Sequence, residues 1–127
     1  MAWFYSNETT PAIRHVFEVL VESGAWVPSL WRLEVANILE MGVRRGRNDA
    51  GFRDATLADL SSLPIRIDPH TNRQAWSNTL QLSHLHRLTL YDAAYLELAK
   101  RRGLPLATLD EELRTAAIAE AVHLLGK

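Results

Sequence analysis

Three carboxylates occupy positions from which they could bind a cation. Asp110 follows the apolar run "LPLAT" by two residues, Asp92 opens "DAAYLELAK", and Glu34 lies within "SLWRLEVANILEMGVRR". If LPLAT is a strand of an open parallel sheet, Asp110 falls in the crevice beyond its carboxyl end, where such folds place their ligands. Aspartate is also a good N-cap, and both Asp92 and Asp110 stand where a helix begins, so capping accounts for either one taken alone. Asp92 has Tyr91, Ala93 and Ala94 as neighbours. Its helix is therefore expected to be buried on more than one side, and a buried carboxylate needs compensation. Glu34 shares a helical face with Leu30, Ile38 and Met41, a stripe expected to point inward. A glutamate there is costly unless it is protonated or paired with a cation. The alternative is a glutamate at the edge of the stripe that reaches solvent. Asn37, about one turn on, could add an amide to the same place, and Thr108 stands near Asp110 as a hydroxyl partner.

Carboxylates in a chain without cysteine suit a hard, oxygen-liganded cation such as Mg2+ or Mn2+. Such an ion can activate water and stabilise a phosphoryl transition state. The histidines offer less: His84 and His86 diverge on a helix, while His15, His70 and His123 are scattered, so a zinc site is not expected. The sequence has no Gly-rich phosphate loop, nucleophile elbow or dinucleotide fingerprint. Fourteen Lys and Arg against fifteen Asp and Glu leave a net charge of -1, so bulk electrostatics does not announce a nucleic-acid partner. Two local basic clusters, Arg44, Arg45 and Arg47, and Lys100, Arg101 and Arg102, each end a helical segment. Solvated charge complementing the helix dipole accounts for both. Trp3, Trp26, Trp31 and Trp76 read as core or interface residues rather than base-stacking platforms.

The elements that must position these acids can be read from caps and periodicity. Apolar residues at spacings of three and four predict a helix over Pro11–Ser23, stopped by Gly24, and "AWVPS" predicts a short buried strand. Ser29 is expected to cap a helix from Leu30 to Arg45 that Gly46 closes, and a further helix spans Asp49–Ser62. "PIRID" alternates as a strand. A long helix over Thr71–His86 is predicted, with Ala75, Trp76, Leu80 and Leu82 as its apolar positions. Helix Asp92–Arg102 ends at Gly103, strand Leu104–Thr108 comes next, then a short helix Glu111–Ala119, and "AVHLL" is the last strand. Helices alternating with short apolar strands indicate an α/β fold with a mostly parallel sheet, since parallel neighbours need crossover connections.

The chain of 127 residues, 47% of them hydrophobic, is long enough for one core, so a single domain over residues 1–127 is expected. The start at Met1 has no basic flank and apolar run of a signal peptide, and no apolar run approaches membrane-spanning length. A soluble, cytoplasmic protein is expected, consistent with the absence of cysteine.

The segment "LTLYDAAYLELAKRRGLPLATLDEELRTAA" closely resembles the C-terminal half of PIN-domain proteins, in particular the VapC-type toxins of toxin-antitoxin pairs. "PSLWRLEVANIL" is similar to their second acidic motif, and "AWFYSNETTPA" is similar to the segment just after their first motif. The resemblance implies a three-layer α/β/α sandwich around a mostly parallel central sheet. It also implies a metal-dependent endoribonuclease toxin of a type II toxin-antitoxin system, in which clustered acids bind Mg2+ or Mn2+ and a metal-bound water attacks an RNA phosphodiester. Glu34, Asp92 and Asp110 match the metal-site acids, Thr108 a small hydroxyl residue near the last of them, and Glu111 and Glu112 a further acid. Arg44, Arg45 and Arg47 would then contact RNA phosphates. The resemblance further implies a homodimer held inactive by a VapB-type antitoxin. The family's first motif is a hydrophobic strand ending in an aspartate, upstream of "AWFY", so that strand and its aspartate are expected to be missing from the 127 residues. Two alternatives remain: a catalytically degenerate PIN module that binds antitoxin or RNA without cleavage, and a receiver-like phosphate-handling domain, against which the Glu34 helix counts.

Overall fold

The computed structural model describes Glu22 and residues 24–125. The predicted helix over Pro11–Ser23 and the aromatic segment containing Trp3 lie outside the described residues, save Glu22, which is helical. Strand β1 (Ala25–Val27) leads into α1 (Trp31–Arg44), and α2 (Ala50–Ser61) precedes β2 (Ile65–Ile67). Helices α3 (Thr71–Gln74), α4 (Asn78–His86) and α5 (Leu90–Arg102) come next, then β3 (Leu106–Ala107), α6 (Glu111–Ala119) and β4 (Leu124–Leu125).

The fold is mixed α/β with parallel strands, as expected. Among the described residues the strands form two parallel pairs, β1 with β2 and β3 with β4, rather than one continuous sheet. Gly24 sets the entry to the first pair. Its φ is +76°, and a Cβ there would meet the Pro64 carbonyl oxygen at 2.4 Å, so a side chain is excluded both by backbone conformation and by contact.

Helix α5 is the organising element, packing against α3, α4, α6 and β3. Ala93, Ala94, Leu96, Glu97, Leu98 and Ala99 are all buried, so the helix is covered on several sides as its composition predicts. Gly103, in the left-handed conformation at φ 64°, ends it. One hydrophobic cluster joins Leu82, Leu88, Leu96, Leu106 and Leu113. A second joins Val27, Trp31, Val35, Leu39 and Leu60. Tyr95 packs against both.

Three expectations are corrected. The buried face of α1 is Trp31, Val35, Leu39 and Gly42, one residue on from the stripe Leu30, Glu34, Ile38, Met41, all of which are only partly buried. Ser29 does not cap α1. Leu30 holds the N-cap position without a side-chain bond, and the Ser29 amide instead donates to Thr71 Oγ1 at 3.0 Å. The predicted helix Thr71–His86 is two helices, broken around Ser77, whose ψ of -99° is not helical. The break leaves Trp76 92% exposed rather than in the core.

Candidate metal centre

Glu34 sits in the first turn of α1. Because it flanks the buried face instead of lying on it, its carboxylate is half-buried. Oε1 accepts a short hydrogen bond from the Tyr95 hydroxyl of α5. Burial raises the Glu34 carboxyl above its ordinary value, the Tyr95 bond works against that rise, and the charge of Asp92 adds to it.

Asp92 lies in the first turn of α5, but it is not the cap. Thr89 is the N-cap, its Oγ1 accepting from the Asp92 amide at 3.1 Å. The Asp92 side chain is thereby released from capping. It is half-buried, and its carboxyl is raised first by burial and then by the charge of Asp110, against a lowering hydrogen bond with Thr89.

Asp110 is the N-cap of α6, with Oδ2 accepting from the Leu113 amide at 2.9 Å. Thr108 Oγ1 accepts from the Asp110 amide at 3.1 Å, and Arg114 Nη1 donates to the Thr108 carbonyl at 2.7 Å. These bonds fix the turn between β3 and α6, with the Thr108 hydroxyl on the backbone amide of Asp110.

Glu34, Asp92 and Asp110 come from three different elements, yet Asp92 acts electrostatically on Glu34 and Asp110 acts on Asp92. Among the described residues none of the three accepts a bond from Lys, Arg or His. An all-oxygen group of this kind fits a hard cation by its donor chemistry. Its geometry is open: among the described residues no three acidic or imidazole side chains stand close enough to hold one ion.

The PIN domain profile matches residues 1–119. The chain belongs to the PIN domain family. It is also 34% identical over 80 residues to Ribonuclease VapC3 of Pyrobaculum aerophilum. That match takes in 63% of this chain and 61% of the length of the relative.

The remaining candidates of this PIN domain stand on α1, just beyond its end, and in the first turn of α6. Asn37 is exposed on α1, and Glu111 and Glu112 are exposed in the first turn of α6. Arg44 is exposed and pairs with Glu40 at 2.9 Å, and Arg45 and Arg47 are exposed beyond the end of α1. His86 pairs with Glu120 at 2.7 Å.

The reading of Lys100, Arg101 and Arg102 as a solvated helix end is overturned. Arg101 and Arg102 both reach the fully buried Asp68 just past β2, and Arg101 also pairs with Glu97 at 2.7 Å. Arg102 further stacks 3.6 Å over the Trp26 ring, and Lys100 pairs with Glu120 at 2.6 Å. Sequence reading missed Tyr95 as well. Its place three residues after Asp92 puts both on one side of α5, the available signal for it.

Proposed function

We propose that this PIN domain is a VapC-type endoribonuclease, the toxin of a type II toxin-antitoxin pair, hydrolysing RNA phosphodiester bonds with Mg2+ or Mn2+ held by Glu34, Asp92 and Asp110. The observation that carries the reading is the coupling of three carboxylates from three elements with no cationic side chain bonded to them among the described residues. Membership of the PIN family and similarity to a protein named as a ribonuclease support it.

A bound cation would supply Lewis-acid polarisation of the phosphate and an activated water. The chain's own part is to present oxygen ligands in fixed places. Asp110 commits Oδ2 to the Leu113 amide, leaving Oδ1 for the ion. Glu34 commits Oε1 to Tyr95, leaving Oε2. Asp92 is freed for the site because Thr89 does the capping. Thr108 supports Asp110, and Asn37, Glu111 and Glu112 are close enough in sequence to serve a further ligand. Arg44, Arg45 and Arg47 would hold RNA phosphates at the margin. On the same reading the chain acts as one domain in the cytoplasm, as a homodimer restrained by a VapB-type antitoxin. Among the described residues no helix is long and apolar enough to cross a membrane.

A second reading is a degenerate PIN module that binds antitoxin or RNA without cutting. The open geometry of the acids favours it. RNA cleavage separates the two: incubation with single-stranded RNA and Mg2+ or Mn2+ should give products that chelator and Asp92→Asn each abolish. Tight RNA binding with no products in either metal would select the degenerate module.

A further inference from the structure

We propose that Tyr95 is a positioning residue for the cation site, its hydroxyl holding Glu34 Oε1 so that the other oxygen is turned to the ion. The inference rests on the metal reading of the three acids and adds to it a residue outside the ligand set. Tyr95 is anchored from two sides, since its ring packs against the cluster around Leu96 and Leu106 and also against the cluster around Trp31 and Val35. Its hydroxyl is therefore delivered by the junction of the two halves of the core. The bond to Glu34 spans 61 positions in sequence and joins α5 to α1.

Asp92 precedes Tyr95 by three residues on the same helix, and residues at that spacing share a face. A carboxylate tied to Tyr95 is thus held toward the face of α5 that carries Asp92, whose charge acts on Glu34. Without the tie, Glu34 stands at the edge of the buried stripe of α1. Its flexible side chain could swing to solvent, away from a neighbour of like charge. The hydroxyl supplies the fixed orientation that outer partners commonly give to metal ligands.

Calorimetric titration with Mn2+ alone at one pH tests this on four proteins: the parent chain, Tyr95→Phe, Glu34→Gln and the double variant. Phe keeps the ring and its packing, and metal-free thermal melting checks that it does. Tyr95→Phe is expected to weaken Mn2+ binding about tenfold, the low end of what loss of such an outer partner costs. In the Glu34→Gln background the same change should have no further effect. Parent-like affinity in Tyr95→Phe, or equal weakening in both backgrounds, overturns the positioning role while leaving the metal reading intact. A parent chain that binds no Mn2+ overturns the metal reading itself, and the positioning role with it.

Discussion

Arg101 closes a forked pair of bonds on Asp68, Nη1 to Oδ1 at 3.1 Å and Nη2 to Oδ2 at 2.6 Å, around a carboxylate with no solvent exposure. Arg102 adds a bond to Oδ1 at 3.1 Å and Thr71 one to Oδ2 at 3.0 Å. The network ties the end of β2 and the start of α3 to the end of α5. Removing one partner of a buried ion pair strands the others, at a cost of about 3–5 kcal/mol. Asp68→Ala is expected to lose stability of that order in urea titration.

The same cluster governs the acid limb of stability. Burial would raise the Asp68 carboxyl, but the bonds from Arg101, Arg102 and Thr71 overcome it and hold the group well below the usual carboxylate range. A depressed folded-state pKa adds stability above the unfolded value, about 3.9, and that stability is lost as pH falls through the folded value. Asp68→Asn should therefore flatten the acid-side fall of stability. An unchanged slope below about pH 4 would count against the assignment.

Asp110 permits capping and charge to be separated. Asn caps nearly as well as Asp, whereas Ala costs about 1 kcal/mol. Asp110→Asn should keep the thermal stability of the metal-free protein and still lose cation binding. Asp110→Ala should lose both.

Asp92 gives a pH effect of opposite sign to Asp68. Its carboxyl is raised, chiefly by burial and then by Asp110, so the folded state holds the proton longer than the unfolded chain does. Its contribution is fully present below the unfolded pKa and is lost as pH rises through the raised folded value. Asp92→Asn is expected to stabilise the metal-free protein at neutral pH, with the gain vanishing on acidification. Equal gains at pH 3 and pH 7 would remove the burial argument.

Much of the fold was legible locally. The helix at Glu111–Ala119 and its Asp110 cap, the strand at "PIRID" and the Gly103 stop all arise from signals within a few residues. The face of α1 was not. Leu30, Glu34 and Ile38 form a row of the same period as Trp31, Val35 and Leu39, and tertiary packing decides between adjacent rows. Trp76 misled because a helical period was read through Ser77, where the backbone leaves the helix. The arginine partners of Asp68 lie 33 and 34 residues away, beyond any local pattern, so a basic run that looked solvated is in fact mostly spent on buried and half-buried acids. The resemblance named the three acids together as one metal site, whereas the action of the Asp92 charge on Glu34 and of the Asp110 charge on Asp92 comes from the fold.

The most direct test of the central claim is the anomalous diffraction of crystals soaked in Mn2+. The expected result is one peak shared by Glu34, Asp92 and Asp110, each carboxylate either bonded to the ion at about 2.0–2.3 Å, the range of hard-cation bonds, or joined to it through one bridging water. A strong peak elsewhere on the molecule, with these three carboxylates apart and unliganded in a protein that still cleaves RNA, would contradict it.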